Sequence, residues 1–267
     1  MRRMLENEFK EITYNMLEAF SSLCEQENLH YILDYGTLLG AVRHNGFIPW
    51  DDDIDVSMPR EDYERFYSLL EKTPDLLGPY YRLSSYRNKF STQKPCHNII
   101  DIRTITKSPM RVPRYYYPVW IDVFPMDLFP DEAEAKKALE KCVRLLHLCQ
   151  VSYYPSSGKL KVIKRALFST QLPLLQSRLK RIDSTGKDFT QSGLGTRLTN
   201  YMGPYGERDI SDLSYYSDFI YHVFEGGKFR IPNNYDKRLS TLYGDYMKLP
   251  PVENRVPHVT DAYWIED

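Results

Sequence analysis

The stretch YGTLLGAVRHNGFIPWDDDIDVSM, residues 35–58, joins a glycine-containing turn to an acidic run that alternates with apolar residues. In a strand, successive side chains point to opposite faces, so Asp53 and Asp55 would share one face while Ile54 and Val56 point into the core. An isolated acidic run also fits a solvated loop, but this alternation is typical of a half-buried strand. Neighbouring carboxylates repel each other unless a cation lies between them, and Mg²⁺ or Mn²⁺ suits oxygen ligands. The stretch therefore predicts a divalent metal site.

The glycine-containing part of the same stretch predicts a phosphate site. Gly36 and Gly40 would let the backbone approach a ligand closely, and Thr37 offers both a hydroxyl and an N–H group to a phosphate oxygen. Arg43 lies between the glycines and the acids, and its guanidinium is suited to phosphate charge. His44 is a second candidate for substrate contact, although a lone histidine is more often structural. Backbone donors and carboxylates in one pocket indicate phosphoryl transfer.

At this point the chain resembles a known family. Residues 35–58 are similar to the defining motif of the LicD family of phosphotransferases, which belongs to the nucleotidyltransferase superfamily with the polymerase-beta-like fold. In that superfamily a glycine and a small hydroxyl residue precede an acid–hydrophobe–acid strand, and a third acid comes from a later strand. Gly36-Thr37 and Asp53-Ile54-Asp55 match the first two elements. Residues 98–128 and 224–258 also look like LicD-type blocks, whereas the region between about 130 and 220 has little that matches.

The third acid has two candidates. Asp122 is flanked by apolar residues on both sides, as expected for a metal-facing residue on a buried strand, and is our first choice. Asp101 has the same local pattern and is the alternative, either as the strand-borne ligand or as a substrate contact. Asp127 follows Pro125 and fits a supporting role at the end of the strand, although LicD-like sequences tend to carry an acid there. Its role stays open at this stage.

The resemblance implies a specific reaction. A LicD-like enzyme would move phosphocholine from CDP-choline to a hydroxyl of a cell-surface glycan precursor, such as teichoic acid or lipopolysaccharide, and release CMP. Asp53, Asp55 and Asp122 would be the catalytic residues and would hold Mg²⁺ or Mn²⁺, and Asp122 could also accept the proton of the attacking hydroxyl. The same carboxylates would serve transfer of another alcohol phosphate or of a nucleotide. A module that binds a nucleotide without turnover is the non-enzymatic alternative.

Two basic stretches are candidates for binding anionic substrates. The first lies between Asp101 and Asp122 and has no acidic residue. Its substrate-binding candidates are Arg103, for a diphosphate, and Tyr115 and Tyr116, for a nucleobase or a quaternary ammonium group. The other interpretation is a solvated loop with ordinary aromatic anchors.

The second basic stretch, residues 151–182, has seven lysine and arginine residues, no acid, and interleaved apolar residues. It fits either a core helix with a cationic outer face or a surface for an anionic membrane or a lipid-linked glycan acceptor.

Composition bounds the class of protein. A net charge of −1 over 267 residues does not favour a nucleic-acid binder. The four cysteines are scattered without CxxC pairs, which indicates buried thiols in a reducing compartment. We see no signal peptide and no apolar run of the roughly 18 to 20 residues needed to span a bilayer. We therefore expect a cytoplasmic protein, with peripheral contact at the inner face of the membrane through the second basic stretch.

The pattern of elements predicts an α+β fold with a mixed sheet that carries the acids. We expect a nucleotidyltransferase-like catalytic core at 1–130 and a mainly helical part at 131–267 that completes the core and the acceptor side, or one compact domain overall. Helices are predicted at 4–27, from Pro59 to about Leu70, at 131–149, at 158–182 with an interruption near Pro173, and at 233–243. Strands, or a strand and a loop, are predicted at 29–42 and 53–58, and further strands at 80–86, 97–106 and 118–124.

Overall fold

The structure of this chain is a computed structural model that describes the backbone of residues 1–51, 53–88, 94–107, 117–151, 161–191, 195–200, 205–216, 218–255 and 261–265. Within these ranges, the side chains of 107, 147–151, 161–173 and 191 are not described. The predicted site residues Tyr115 and Tyr116 lie outside the described residues.

The described residues form six α-helices and eleven strands. The helices are α1 (Glu6–Gln26), α2 (Tyr35–His44), α3 (Arg60–Lys72), α4 (Glu132–Val151), α5 (Lys161–Gln191) and α6 (Tyr235–Tyr243). The strands are β1 (Arg2–Arg3), β2 (Ile32–Leu33), β3 (Asp55–Pro59), β4 (Tyr81–Ser84), β5 (His97–Lys107), β6 (Tyr117–Phe129), β7 (Arg197–Thr199), β8 (Ser211–Asp212), β9 (Phe219–Phe224), β10 (Gly227–Pro232) and β11 (Asp261–Trp264).

A mixed sheet is the framework of the molecule. Its main path runs β1-β11-β5-β6-β3-β2, with β4 beside β5, and with β7 pairing both β6 and β8. The strand pairs are antiparallel except for β3 and β6, which are parallel. Strands β9 and β10 form a separate hairpin. The predicted α+β class is confirmed. Of the acids predicted on strands, Asp55 and Asp122 fall on the parallel pair and Asp101 falls on β5, whereas the strand predicted at Asp53 is wrong because β3 begins at Asp55.

Helices α1 and α3 cover the sheet with apolar faces. Phe9, Ile12, Met16, Phe20 and Leu23 recur at helical spacing along α1 and are buried in the main core. Tyr63, Phe66 and Leu70 do the same along α3. These two helices match their predicted positions because apolar residues at helical spacing form one apolar face, and that face is stable when it is buried against the sheet.

Residues 29–42 were predicted as a strand or a strand and a loop, and this prediction is wrong for most of the range. Only β2 is extended, and the chain then enters α2. Tyr35 has a left-handed backbone (φ 48°), and its N–H donates to the side chain of Asp34, which caps the helix. Leu38, Leu39 and Ala41 are buried on α2. The apolar residues therefore follow helical spacing, which a short run does not distinguish from a strand.

The later elements match more closely. Strands β4, β5 and β6 and helices α4 and α6 lie where the sequence predicts them, but the interruption near Pro173 is wrong, since α5 continues through it. A proline removes one hydrogen bond of the ladder, which a long, packed helix tolerates. The boundary predicted at residue 130 stays a prediction; β11, from the last residues, joins the same sheet as β3 and β6. Within the described part of the chain, none of the helices has the length and apolar character to cross a bilayer.

Candidate active site

The start of the parallel pair β3–β6 brings two of the predicted acids together. Asp55 and Asp122 are register partners on these adjacent strands, so their side chains lie on the same face of the sheet. The backbone fixes both positions, because the N–H of Asp122 donates to the carbonyl of Ile54 at 2.8 Å and the N–H of Asp55 donates to the hydroxyl of Thr37 at 2.8 Å. Asp53 lies two residues before Asp55, on the segment that enters β3.

The electrostatics of these acids are unfavourable as they stand. The pKa of Asp55 is raised well above its usual range by burial and then by the negative charges of Asp53, Asp122 and Asp51, while Lys94 acts in the opposite direction. A carboxylate in this position gains from any cation that approaches it. The cluster therefore has the charge of a cation site.

Three nitrogen donors surround the carboxylate of Asp122, and the thiol of Cys96 lies 3.8 Å from one of its oxygens. The ammonium group of Lys94 lies 2.9 and 2.7 Å from its two oxygens, and the indole N–H of Trp120 donates to one of them at 3.1 Å. The side-chain amide of Asn98, the register partner of Asp122 on β5, donates to the other. Sequence analysis missed all three residues. For Asn98 and Trp120 the signal was available, because they lie on predicted strands beside the chosen acid.

The structure separates Asp101 from the other acids. Asn98 pairs with Asp122 across β5 and β6, and Asp101, three residues along β5, points to the opposite face of the sheet. Its carboxylate accepts hydrogen bonds from the guanidinium of Arg103 at 3.0 and 2.5 Å. The Arg103 guanidinium also lies 4.0 Å from the ring centroid of Tyr80. Asp101 and Arg103 therefore form a pair of their own, and Arg103 is not among the residues gathered at Asp55 and Asp122.

Asp127 has a supporting position at the other end of the parallel pair. Its two carboxylate oxygens accept hydrogen bonds from the guanidinium of Arg60, each at 2.7 Å, and one also accepts from the hydroxyl of Thr190 at 3.0 Å. Arg60 and Asp127 are both buried. These contacts tie the end of β6 to α3 and α5, in agreement with the supporting role that the sequence left open.

The amino end of α2 lies next to the acids, as the predicted phosphate site requires. A Cβ atom placed on Gly36 would be 2.6 Å from the Oδ2 atom of Asp51, so any larger residue would displace that carboxylate from its position beside the first turn. The first turn of a helix has backbone N–H groups without intrahelical partners and favours anions. Thr37 is buried and its hydroxyl holds the start of β3, so the structure gives this residue a positioning contact.

Arg43 and His44 lie at the other end of α2, seven residues or about 10 Å along the helix axis from Gly36. The guanidinium of Arg43 donates to a ring nitrogen of His44 at 2.9 Å and to the carbonyl of Tyr246 at 2.8 Å. Gly40 contacts the chain rather than a ligand, since a Cβ there would lie 2.4 Å from a backbone oxygen of the following loop. The structure thus does not bring Arg43 and His44 to the amino end of α2.

Two tyrosines from the C-terminal half complete the surroundings of Asp55. The hydroxyls of Tyr205 and Tyr243 are 3.0 Å apart. Burial raises the pKa of Tyr205, and the nearby charges of Asp55 and Asp51 raise it further, which places its phenol beside the acids. Sequence analysis did not find these residues, because no local pattern links positions so distant in the chain.

The donor set can be compared with what a divalent metal needs. No group of three or more histidine, cysteine, aspartate or glutamate side chains, among those described, is arranged so that it could hold a metal ion. The chemistry of the donors still fits Mg²⁺ or Mn²⁺, since the clustered groups are carboxylates. The ammonium group of Lys94 also shows that a cation is stable against both oxygens of Asp122. The clustered donors are thus of the chemical type that a divalent metal takes, and in this arrangement the Lys94 ammonium group is the cation at Asp122.

In the second basic stretch, residues 151–182, the structure describes side chains from residue 174 onward. There, Leu175, Leu179 and Ile182 are buried, whereas Lys180 and Arg181 are exposed. This part of α5 is a core helix with a cationic outer face. Contact with a membrane stays a prediction.

Comparison with known proteins identifies similar sequences. A family model described as LicD/FKTN/FKRP, nucleotidyltransferase domain, matches residues 28–118. The lipopolysaccharide cholinephosphotransferase LicD of Haemophilus influenzae is 31% identical over 284 aligned positions, which cover 98% of this chain and 99% of that protein. An uncharacterized protein of Rickettsia typhi is 37% identical over 76 positions, covering 28% of this chain and 22% of the relative. One of Rickettsia prowazekii is 35% identical over 79 positions, 22% of this chain and 30% of the relative.

Proposed function

Because this chain belongs to the LicD family and is a phosphotransferase of that type, we propose that it transfers phosphocholine from CDP-choline to a hydroxyl group of a cell-surface glycan precursor and releases CMP. The proposal includes a polymerase-beta-like nucleotidyltransferase fold. The adjacent strands β3 and β6, each with an acid, and the glycine at the start of α2 support that fold. The Haemophilus relative acts on lipopolysaccharide by name, and teichoic acid is the second class of acceptor within the proposal.

One observation carries the proposal. Asp55 and Asp122 are register partners on adjacent parallel strands, with Asp53 nearby and the amino end of α2 beside them. This places acids that need a cation next to backbone donors that favour an anion. A divalent cation would supply the positive charge for the acids, and the diphosphate of a cytidine diphosphate ester would supply the negative charge for the backbone donors.

The residues take the following roles. Asp53, Asp55 and Asp122 would hold Mg²⁺ or Mn²⁺, which when bound neutralises charge on the transferred phosphoryl group and on the leaving CMP. Gly36 leaves the space in which the first turn of α2 can approach a phosphate. Thr37 positions Asp55 through the backbone. Lys94, Asn98 and Trp120 all donate to the carboxylate of Asp122, so we assign this residue to the cation site rather than to the proton acceptor suggested by sequence.

Aromatic side chains support a choline head group. Trp120, Tyr205 and Tyr243 lie around the acids, and the indole of Trp120 already carries a cation, with the Lys94 nitrogen 5.3 Å from its ring centroid. A quaternary ammonium ion is attracted to such rings by about 0.5–2 kcal/mol. The same role for Tyr115 and Tyr116 stays a prediction, since both lie outside the described residues. The exposed cationic face of α5 supports peripheral contact with a membrane that carries a lipid-linked acceptor.

Phosphorus NMR tests the proposal. The purified protein is incubated with Mg²⁺ and a membrane-glycan extract, and CDP-choline, CDP-ethanolamine, CDP-glycerol, CDP-ribitol or a nucleoside triphosphate is supplied one at a time. We expect CMP and a new phosphodiester signal with CDP-choline only, and no signal from the Asp55→Asn variant in the same extract.

The other outcomes separate the parts of the proposal. Turnover of a different CDP-alcohol would contradict choline and keep the transfer chemistry. Turnover of a nucleoside triphosphate alone would indicate a nucleotidyltransferase. Silence with every donor, in an extract that a LicD enzyme modifies in parallel, would favour a nucleotide-binding module without catalysis.

A further inference from the structure

The side chain of Lys94 lies at the entrance of the carboxylate cluster. Its ammonium nitrogen is 2.9 and 2.7 Å from the two oxygens of Asp122, the spacing of a two-pronged ion pair. The Lys94 side chain is 38% exposed, whereas that of Asp122 is 6% exposed. The cation of this pair therefore lies on the solvent side of a buried acid.

Asp122 does not depend on Lys94 for its orientation. The indole N–H of Trp120 and the amide of Asn98 also donate to its carboxylate, and both residues lie on strands of the sheet, β6 and β5. Lys94 instead comes from the segment between β4 and β5, just before β5 begins. The rigid partners fix the position of the acid, and the lysine adds charge to it.

The positive charge of Lys94 also acts on Asp55. Asp51, Asp53 and Asp122 all add negative charge at Asp55, and Lys94 adds positive charge there. A divalent cation bound among these acids would repel the ammonium group from the same oxygens. Lysine is a compact, strongly hydrated charge on a flexible stem and pairs readily with phosphate.

We propose that Lys94 is the counter-ion of Asp122 while no metal is bound, that it competes with the divalent cation for this carboxylate, and that it contacts the donor diphosphate once the metal has replaced it. The inference rests on the proposed function, since it needs a metal at Asp55 and Asp122 and a diphosphate beside them. Lys94 lies between β4 and β5, outside the motifs found in the sequence. The same lysine then lowers the affinity for the metal and raises the affinity for the donor.

Calorimetric titration with Mn²⁺ alone tests the competition. Lys94→Met keeps the apolar stem and removes the charge, and Lys94→Arg keeps the charge. We expect the dissociation constant of Mn²⁺ to fall about tenfold in Lys94→Met, since the competing cation is gone, and to stay within about twofold of the wild type in Lys94→Arg. A lysine with a merely structural role would not tighten metal binding when it is removed.

A kinetic readout tests the contact with the donor. In Lys94→Met the KM for CDP-choline should rise about tenfold at saturating Mn²⁺ while kcat changes less, because the lost contact is to the bound diphosphate in ground state and transition state alike. Thermal unfolding of each variant checks that the fold is kept. An unchanged dissociation constant for Mn²⁺, or an unchanged KM, would overturn the inference.

The Asp55→Asn variant separates the two levels of the argument. If Mn²⁺ binds the wild type and binds Asp55→Asn much more weakly, the metal site of the proposed function stands, and the result for Lys94→Met decides the inference by itself. If Asp55→Asn binds Mn²⁺ as tightly as the wild type does, the metal site and the role of Lys94 fail together.

Discussion

The two ends of the parallel strand pair β3–β6 have opposite electrostatic arrangements. At one end Asp55 faces Asp122, with further acids beside it, and burial and these charges raise the pKa of Asp55. At the other end Arg60 contacts both Asp127 and Asp183, at 2.7 Å in each case. Acids outnumber bases at the first end, whereas at the second each acid has a guanidinium partner.

At the charge-balanced end, ion pairs stabilise the buried acids. Burial alone would raise the pKa values of Asp183 and Glu64, but Arg60 and Arg87 lower both, that of Glu64 to about 2. Arg87 makes hydrogen bonds to Glu64 at 2.7 and 2.9 Å and contacts Asp183 as well. An acidic cluster without balancing bases lies five residues away along the same strands and reduces stability, and groups of this kind are typical of functional sites. The contrast assigns binding to one end and anchoring to the other.

The largest expected effect is on turnover at the acidic end. Asp55→Asn should reduce kcat about a thousandfold, because a neutral amide cannot replace a metal-binding carboxylate. The free energy of unfolding should stay the same or rise, since the change removes repulsion. CMP release and urea unfolding measure the two quantities. Asp101→Asn is the matched control, since it removes an acid from the other face of the sheet and should leave kcat within about threefold. Loss of turnover in Asp101→Asn alone would reverse the choice of third acid.

The second effect is on stability at the balanced end. Asp127→Asn removes the charge that faces the buried Arg60 guanidinium and should lower the free energy of unfolding by about 3 kcal/mol, with kcat near the wild-type value while the protein is folded. Urea unfolding measures it. Glu140→Gln is the comparison, because it breaks the Arg144–Glu140 pair, whose side chains are 76% and 69% exposed, and should leave stability nearly unchanged. Equal effects of the two changes would remove the anchoring role of Asp127.

The third effect depends on pH and concerns His97, which lies between the two ends. Its ring stacks on Tyr63, and burial lowers its pKa from 6.5 to about 3. Between pH 6.5 and pH 3, His97 is therefore protonated in the unfolded chain and neutral in the folded chain. The stability that His97 contributes above pH 6.5 is lost as the pH falls towards 3. Between pH 8 and pH 5 the loss should be about 2 kcal/mol.

Urea unfolding at both pH values, in the wild type and in His97→Phe, isolates this contribution, because the other titrating groups are common to both proteins. The variant should lose about 2 kcal/mol less over the same range. A pH dependence equal to that of the wild type would show that His97 is not kept neutral by the fold.

The fourth and smaller effect concerns the contact between Gly36 and Asp51. In Gly36→Ala the new methyl group would meet the Asp51 carboxylate, so this acid must move, and we expect kcat/KM to fall about tenfold. Stability should not fall with it, because alanine favours a helix over glycine by about 1 kcal/mol. Steady-state kinetics and thermal unfolding on one preparation measure both. An unchanged kcat/KM would show that Asp51 and the first turn of α2 do not need this spacing.

The acids of the acidic end could be predicted from the sequence, because local patterns mark them. Alternation marked Asp55, and flanking apolar residues marked Asp122, and the two are register partners. The same reasoning ranked Asp122 first and kept Asp101 as the alternative, because local sequence does not tell which face of a sheet an isolated strand residue occupies. The pairing of β5 with β6 supplies that information.

The remaining misses are of two kinds. Apolar residues in 29–42 fit both a strand and a helix over so short a run, and the cap at Asp34 is evident only once the helix is known. Lys94 and Tyr205 reach the acids from segments far away in sequence, so that only tertiary structure brings them together. Arg103 was predicted at the site because it belongs to the acid-free basic stretch between Asp101 and Asp122, yet its ion pair with Asp101 holds it on the other face of the sheet.

The most direct test of the contrast is thermal unfolding of the wild type, Asp55→Asn and Asp127→Asn with and without Mn²⁺. A ligand at ten times its dissociation constant adds about 1.4 kcal/mol, or about 3 °C for a chain of this size. We predict this rise for the wild type and for Asp127→Asn, which starts from a lower Tm, and no rise for Asp55→Asn. An equal rise in Asp55→Asn would contradict the assignment of the acidic end as the metal site.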